Sequence, residues 1–149
     1  MNRKPILPPT YFWIAVLISL LFHFVYPVTV LFNSGWLPLG VFLILMGGVL
    51  NIWADQLFKK RSTTVKPFER PAVLVTQGPF AWLRHPMYFG MLAILLGLSM
   101  IWGSLTSLVG PIGFWLVIRL RFIPAEERSM AELFGDQYSH YKKRVFSWM

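Results

Sequence analysis

No cysteine occurs anywhere in the chain, which excludes a disulfide framework, a thiolate metal site and a thiol nucleophile. Histidine is scarce as well: three residues, widely scattered, give no metal-ligand spacing. Acids number six, and charged residues together make up 13% of the chain, far below a soluble average. What fills the space is apolar, with 56% hydrophobic and 17% aromatic residues. A soluble domain of 149 residues could not cover that surface with so few charges, whereas lipid as solvent removes the problem. The length leaves room for a single domain, 1–149. A net charge of +8 would suit nucleic acid, but the basic residues flank apolar runs and form no aromatic-interleaved stripe. That partner is excluded.

Charge-free runs set the spans. From Tyr11 to Phe32 there is no Asp, Glu, Lys or Arg, enough to cross ~30 Å of hydrocarbon. A cleaved signal would be shorter and end in small residues, so the stretch reads as a retained helix at 11–32. Asn33, Ser34 and Gly35 make an uncharged turn, and a second helix follows at 36–58. Pro86 to Ile118 is again uncharged. As one helix it would be roughly 50 Å long, too long for one crossing. Gly103 and Ser104 near its midpoint suit a tight turn, which predicts a hairpin of helices at 87–102 and 105–123. The segment 59–77, with Pro67 and Pro71, reads as a loop whose residues 73–75 touch the membrane surface.

The charge map gives an independent check. Arg3 and Lys4 precede the first helix. Lys59, Lys60, Arg61, Lys66, Arg70 and Arg84 lie between the second and third. Arg119, Arg121, Arg128, Lys142, Lys143 and Arg144 follow the hairpin, and the two outer turns carry no charge. Four spans put every cationic segment on one side, which the positive-inside rule identifies as the cytoplasm. The sequence thus predicts an all-α integral membrane bundle of four transmembrane helices. Both termini are cytoplasmic, and a helical C-terminal tail lies on that side. Gly47, Gly48, Gly90, Gly97, Gly110 and Gly113 place small residues within the spans, permitting close helix approach.

Two segments concentrate polar groups at cytoplasmic helix ends. In the first, Gly78 to Gly90, Pro79 and Pro86 fix backbone torsions, and Pro86 suits the first turn of a helix. Its free N–H groups beside Arg84 and His85 could hold a carboxylate or phosphate. Alternatively, Arg84 and His85 anchor the helix at the headgroups. In the second, Pro124 restarts a helix with Glu126 and Glu127 in its first turn. These acids either complement the helix dipole and pair with Arg119 or Arg121, or hold a cationic or polyhydroxylated ligand. Gly135 then reads as a helix C′ residue, and Tyr138 and Tyr141, three apart, share one helix face.

Taken in order, these segments resemble the isoprenylcysteine carboxyl methyltransferase and phospholipid methyltransferase superfamily. The shared pattern is Gly-Pro-Phe, then Arg-His-Pro-x-Tyr-x-Gly, an apolar hairpin, Glu-Glu, Phe-Gly-x-x-Tyr-x-x-Tyr and a basic tail. It runs here from Gly78 to Val145, about half the chain. The resemblance implies S-adenosylmethionine bound without a Rossmann domain by the region 78–145. His85, Tyr88, Gly90, Glu126, Glu127, Tyr138 and Tyr141 would form the cofactor site, with Arg84, Arg121 and Glu127 as catalytic residues. It further implies a lipophilic acceptor, either an isoprenylcysteine-like carboxylate or a phospholipid-like head group, reached from the bilayer. Methyl transfer from a sulfonium is an in-line displacement, so alignment and exclusion of water are the enzyme's main tasks. The abundance of arginine favours an anionic acceptor.

Two other readings share the membrane hairpin. A steroid-reductase-type enzyme would use NADPH, but Glu126 and Glu127 are poor company for its 2′-phosphate. A non-enzymatic membrane subunit would use the same motifs for topology alone.

Overall fold

The computed structural model describes residues 6–28, 34–63 and 71–146. Arg3, Lys4, Asn33, Lys66, Pro67 and Arg70 lie outside the described residues. Regular structure among the described residues is helical. Leu7 is extended, and Pro8 and Pro9 then open α1 (Pro8–Val25), where a missing N–H costs nothing. α1 ends at Val25 rather than near residue 32, because a residue before proline disfavours the helical region and Pro27 lies just ahead. A 3₁₀ turn, Ser34–Trp36, leads into α2 (Leu37–Lys60). A second, Gly78–Ala81, precedes α3 (Pro86–Trp102), which Gly103 closes in the left-handed conformation with φ 82°. The expected hairpin turn is therefore present.

The second arm departs from expectation. A 3₁₀ turn, Leu105–Leu108, runs into α4 (Val109–Val117), a π-helical turn Ile118–Phe122, and α5 (Ile123–Arg144) without interruption. Pro124 does not restart a helix. In a straight α-helix its missing N–H would leave the Leu120 carbonyl unpaired. The π turn shifts the register instead, with the Ile123 N–H reaching back to the Ile118 carbonyl. The break comes at Gly135, whose φ of 48° and ψ of −121° kink α5, and a second helical segment follows at once.

Three of these runs, Pro8–Val25, Leu37–Lys60 and Leu105–Arg144, are long and apolar enough to cross a membrane, and Pro86–Trp102 is a shorter apolar helix. The 40-residue run measures ~60 Å, twice the hydrocarbon width, so its charged half beyond Pro124 stands outside. Large apolar side chains such as Trp13, Leu17, Phe42, Leu45 and Leu120 are exposed, as lipid-facing residues are.

α2 and α3 pack antiparallel at two glycine crossings. A Cβ on Gly40 would stand 2.9 Å from the Gly97 carbonyl, and one on Gly90 2.8 Å from the Gly47 carbonyl. Only residues without side chains let the backbones meet this closely. Gly110 makes the equivalent approach to Ala15 and Ser19 of α1, whereas Gly48 and Gly113 face open space. At the far end, His23 Nδ1 lies 2.8 Å from Ser104 Oγ, and Ser99 and Ser107 exchange hydrogen bonds with each other's backbone. These contacts fix the α3–α4 turn against α1.

Candidate active site

The start of α1, the end of α2, the start of α3 and α5 converge at the end of the bundle away from Gly103. Here the chain brings together a cluster of charged and polar side chains. Gly78, at φ 59°, lets the 3₁₀ turn press on Leu57 of α2, and Pro86 starts α3 immediately after His85. Arg84 and His85 are thus fixed at the helix entrance. The register shift at Ile118–Phe122 turns Glu126 and Glu127 toward them. Arg84 Nη1 donates to Glu127 Oε1, and the Tyr88 hydroxyl donates to Glu126 Oε1. Lys142 Nζ, from beyond the kink, donates to Glu127 Oε2 at 2.6 Å. The His85 ring stacks on Tyr88, with Nδ1 3.4 Å from Glu126 and Nε2 3.5 Å from Glu127. His85 Nε2 and Arg84 Nε are nonetheless buried without a well-formed hydrogen bond.

The charges reinforce one another. Glu127 is held down to about 2, chiefly by His85 against the opposing effect of burial, with Lys142 and Arg84 adding to it. Burial would lower the His85 pKa, but the two facing carboxylates outweigh it and raise the value above the ordinary 6.5. Burial also pushes Tyr138 up to about 12 and raises Tyr141, so both keep their protons. The Tyr141 hydroxyl donates to the Phe80 carbonyl at 2.7 Å.

A cavity of about 220 Å³ opens beside this network. Arg84, His85, Tyr88, Glu126, Tyr138 and Tyr141 line its polar side, while Pro8, Met87, Met91 and Met130 are among its apolar walls. Val73, Leu74 and Val75 also line it.

Two expected site residues stand elsewhere. Gly90 faces α2, against Gly47 and Asn51, because helix packing needs it there. Arg121 is exposed on the outer side of the π turn, and Arg119 stacks over the Trp115 ring at 5.1 Å. Neither arginine pairs with the acids: Glu127 is held by Arg84 and Lys142, and Glu126 by Tyr88 and His85. Lys142 escaped the sequence reading because it sits in a run of three cations. Its place four residues after Tyr138, on the same helix face, was the available signal.

This arrangement defines a class. The phospholipid methyltransferase family model matches residues 36–137, and the chain belongs to that family. Among its relatives is the protein-S-isoprenylcysteine O-methyltransferase of Schizosaccharomyces pombe, 31% identical over 128 residues, covering 85% of this chain and 52% of that protein. The human protein of the same name is 37% identical over 73 residues, covering 48% of this chain and 25% of that one. A solved structure of the eukaryotic intramembrane Ras methyltransferase, isoprenylcysteine carboxyl methyltransferase, matches with a TM-score of 0.73 at 26% identity. It covers all of this chain and 53% of its own. The chain thus spans about half the length of these relatives or less. Fold, spans and family together make it an integral membrane protein.

Proposed function

We propose that the chain is an S-adenosylmethionine-dependent methyltransferase acting on a lipophilic acceptor with a carboxylate head, as a prenylated cysteine has. The observation that carries this reading is the Arg84–Glu127–His85–Glu126–Tyr88 network bordering an apolar cavity at a membrane-side helix end.

The residues fit the cofactor. Glu126 and Glu127 are little exposed and would offset a sulfonium charge or accept from ribose hydroxyls. Tyr138 and Tyr141, protonated and buried, would wall the site from water. When bound, S-adenosylmethionine supplies an electrophilic methyl group. The chain's own contribution is to align the acceptor and to keep water out. Arg84 uses Nη1 on Glu127 and keeps a buried, unsatisfied Nε N–H. That leaves one edge of its guanidinium for an acceptor carboxylate. A carboxylate arrives deprotonated, so no general base is required. The walls formed by Pro8, Met87 and Met91 lead from the polar network toward the spans, where an apolar tail would remain.

The test uses detergent-purified protein. S-adenosylhomocysteine should raise its melting temperature and NADPH should not, since a ligand binding only the folded state stabilises it. With labelled cofactor, prenylcysteine analogues should accept methyl groups and phosphatidylethanolamine should not. Stabilisation by NADPH alone would overturn the reading in favour of a reductase.

A further inference from the structure

Two residues of the cavity's polar side, Tyr138 and Tyr141, lie beyond a kink in α5. Gly135 has φ 48° and ψ −121°, and a Cβ there would meet nothing within 4 Å, so the outer side of the kink is open. Past it, specific contacts among the described residues tie the tail to the body. Lys142 pairs with Glu127, Tyr141 donates to the Phe80 carbonyl, and a single parallel backbone bridge joins Phe146 to Leu83. Tyr138, Tyr141 and Val145 form a small buried cluster with Leu74, Met130 and Phe134. The cavity beneath the tail, about 220 Å³, falls below the ~300–1,000 Å³ of ordinary ligand sites. Both Glu127 oxygens are already taken, by Arg84 and Lys142. Of these two partners only Lys142 is carried by the tail.

We propose that Lys142 is a positioning residue. By pairing with Glu127 it holds the tail beyond Gly135 shut over the site, and cofactor exchange requires that pair to part and the tail to swing about Gly135. The proposal rests on the methyltransferase reading above. It adds a residue and a motion that the resemblance to the family does not assign. Lys142 needs to touch neither cofactor nor acceptor, since it acts through Glu127. Lys143, one position on, is exposed and serves as its internal control.

The cysteine-free chain makes the test clean. Leu83→Cys with Phe146→Cys joins the two bridged residues, whose Cα atoms stand ~5 Å apart, within disulfide reach. In the full chain, oxidation should slow association and dissociation of labelled S-adenosylhomocysteine tenfold or more, with reductant restoring both. Equal rates in the oxidised and reduced forms would overturn the proposal. Lys142→Gln should speed dissociation at least threefold and Lys142→Arg should restore it, while Lys143→Gln should change nothing. A second readout needs no ligand. Spin labels at Ala81→Cys and His140→Cys should give one narrow distance distribution, gaining a longer component with Lys142→Gln and none with Lys143→Gln. A distribution unchanged by Lys142→Gln would also overturn it. If the parent protein binds no S-adenosylhomocysteine, the methyltransferase reading fails, and the spin labels alone decide the hinge.

Discussion

At the scale of single residues, the site is a charge-balanced cluster in a chain that has little charge to spare. Arg84 and Glu127 are partners at 11% and 17% side-chain exposure, so removing Glu127 leaves the Arg84 guanidinium buried without its carboxylate. Glu127→Gln should weaken S-adenosylhomocysteine binding tenfold or more, the scale of a lost charged hydrogen bond of ~1.5–3 kcal/mol. Glu132→Gln, on the exposed face of α5, should leave it unchanged, with calorimetry on both variants as the measurement. Arg84→Lys keeps the charge but loses the fork, and should lower kcat/KM tenfold or more, whereas exposed Arg121→Lys should be silent. The same cluster predicts a pH window. The Glu127 contribution is full above the ordinary carboxylate value of 4.5 and is lost as pH falls toward about 2. The His85 contribution runs the other way, full below 6.5 and lost as pH rises through its raised value. Melting temperature against pH should therefore fall on both sides, and His85→Asn should flatten the alkaline side and also soften the acid side, since His85 is the chief cause of the Glu127 depression. Arg84, His85, Tyr88, Glu126, Glu127, Tyr138 and Tyr141 were legible because polar groups stand out in so apolar a chain. Lys142 was not, since a run of cations hides which one reaches inward.

Among the elements, helices are easy to see and their junctions are not. Uncharged length identifies the spans, but length says nothing about where a proline lets a helix continue. Pro27 stops α1 early, while Pro124 is absorbed by a π turn that only the packed structure selects. The glycines show the same limit. Six of them looked alike in the sequence, yet Gly47, Gly90, Gly97 and Gly110 sit at helix crossings and Gly48 and Gly113 face outward. Gly97→Ala forces a Cβ to 2.5 Å from the Gly40 carbonyl, where the backbone cannot yield cheaply. It should destabilise the bundle by about 1–3 kcal/mol, the cost of overpacking. Gly48→Ala should instead stabilise it by up to about 1 kcal/mol, because helix propensity alone then decides. Denaturation in mixed detergent micelles compares the two directly. Equal stabilities would mean that the α2–α3 crossing is looser than its geometry implies.

For the whole molecule the decisive quantity is which side each polar end occupies. Lys59, Lys60, Arg61 and Arg84 stand at the α2–α3 end that carries the site, as do Arg119, Arg121 and the tail beyond α4. The turn at Gly103 and Ser104 has no charge within seven residues on either side, so the molecule is electrostatically one-ended. Retention of Lys and Arg in the cytoplasm then predicts an orientation with the site and the tail inside and the α3–α4 turn outside. The prediction concerns sidedness and also the acceptor, because a site at the cytoplasmic end meets lipids of that leaflet and substrates made there. Single cysteines at Leu105 and at His140, both exposed, should react with a membrane-impermeant maleimide from opposite faces of sealed vesicles. Leu105→Cys should label from outside and His140→Cys only after permeabilisation. Labelling of both from one face would break the four-span arrangement, since α4 would then end on the side where it begins and would not cross. The reverse pattern would keep four spans but turn the site outward, away from any cytoplasmic supply of S-adenosylmethionine, and would count against the proposed methyltransferase as well.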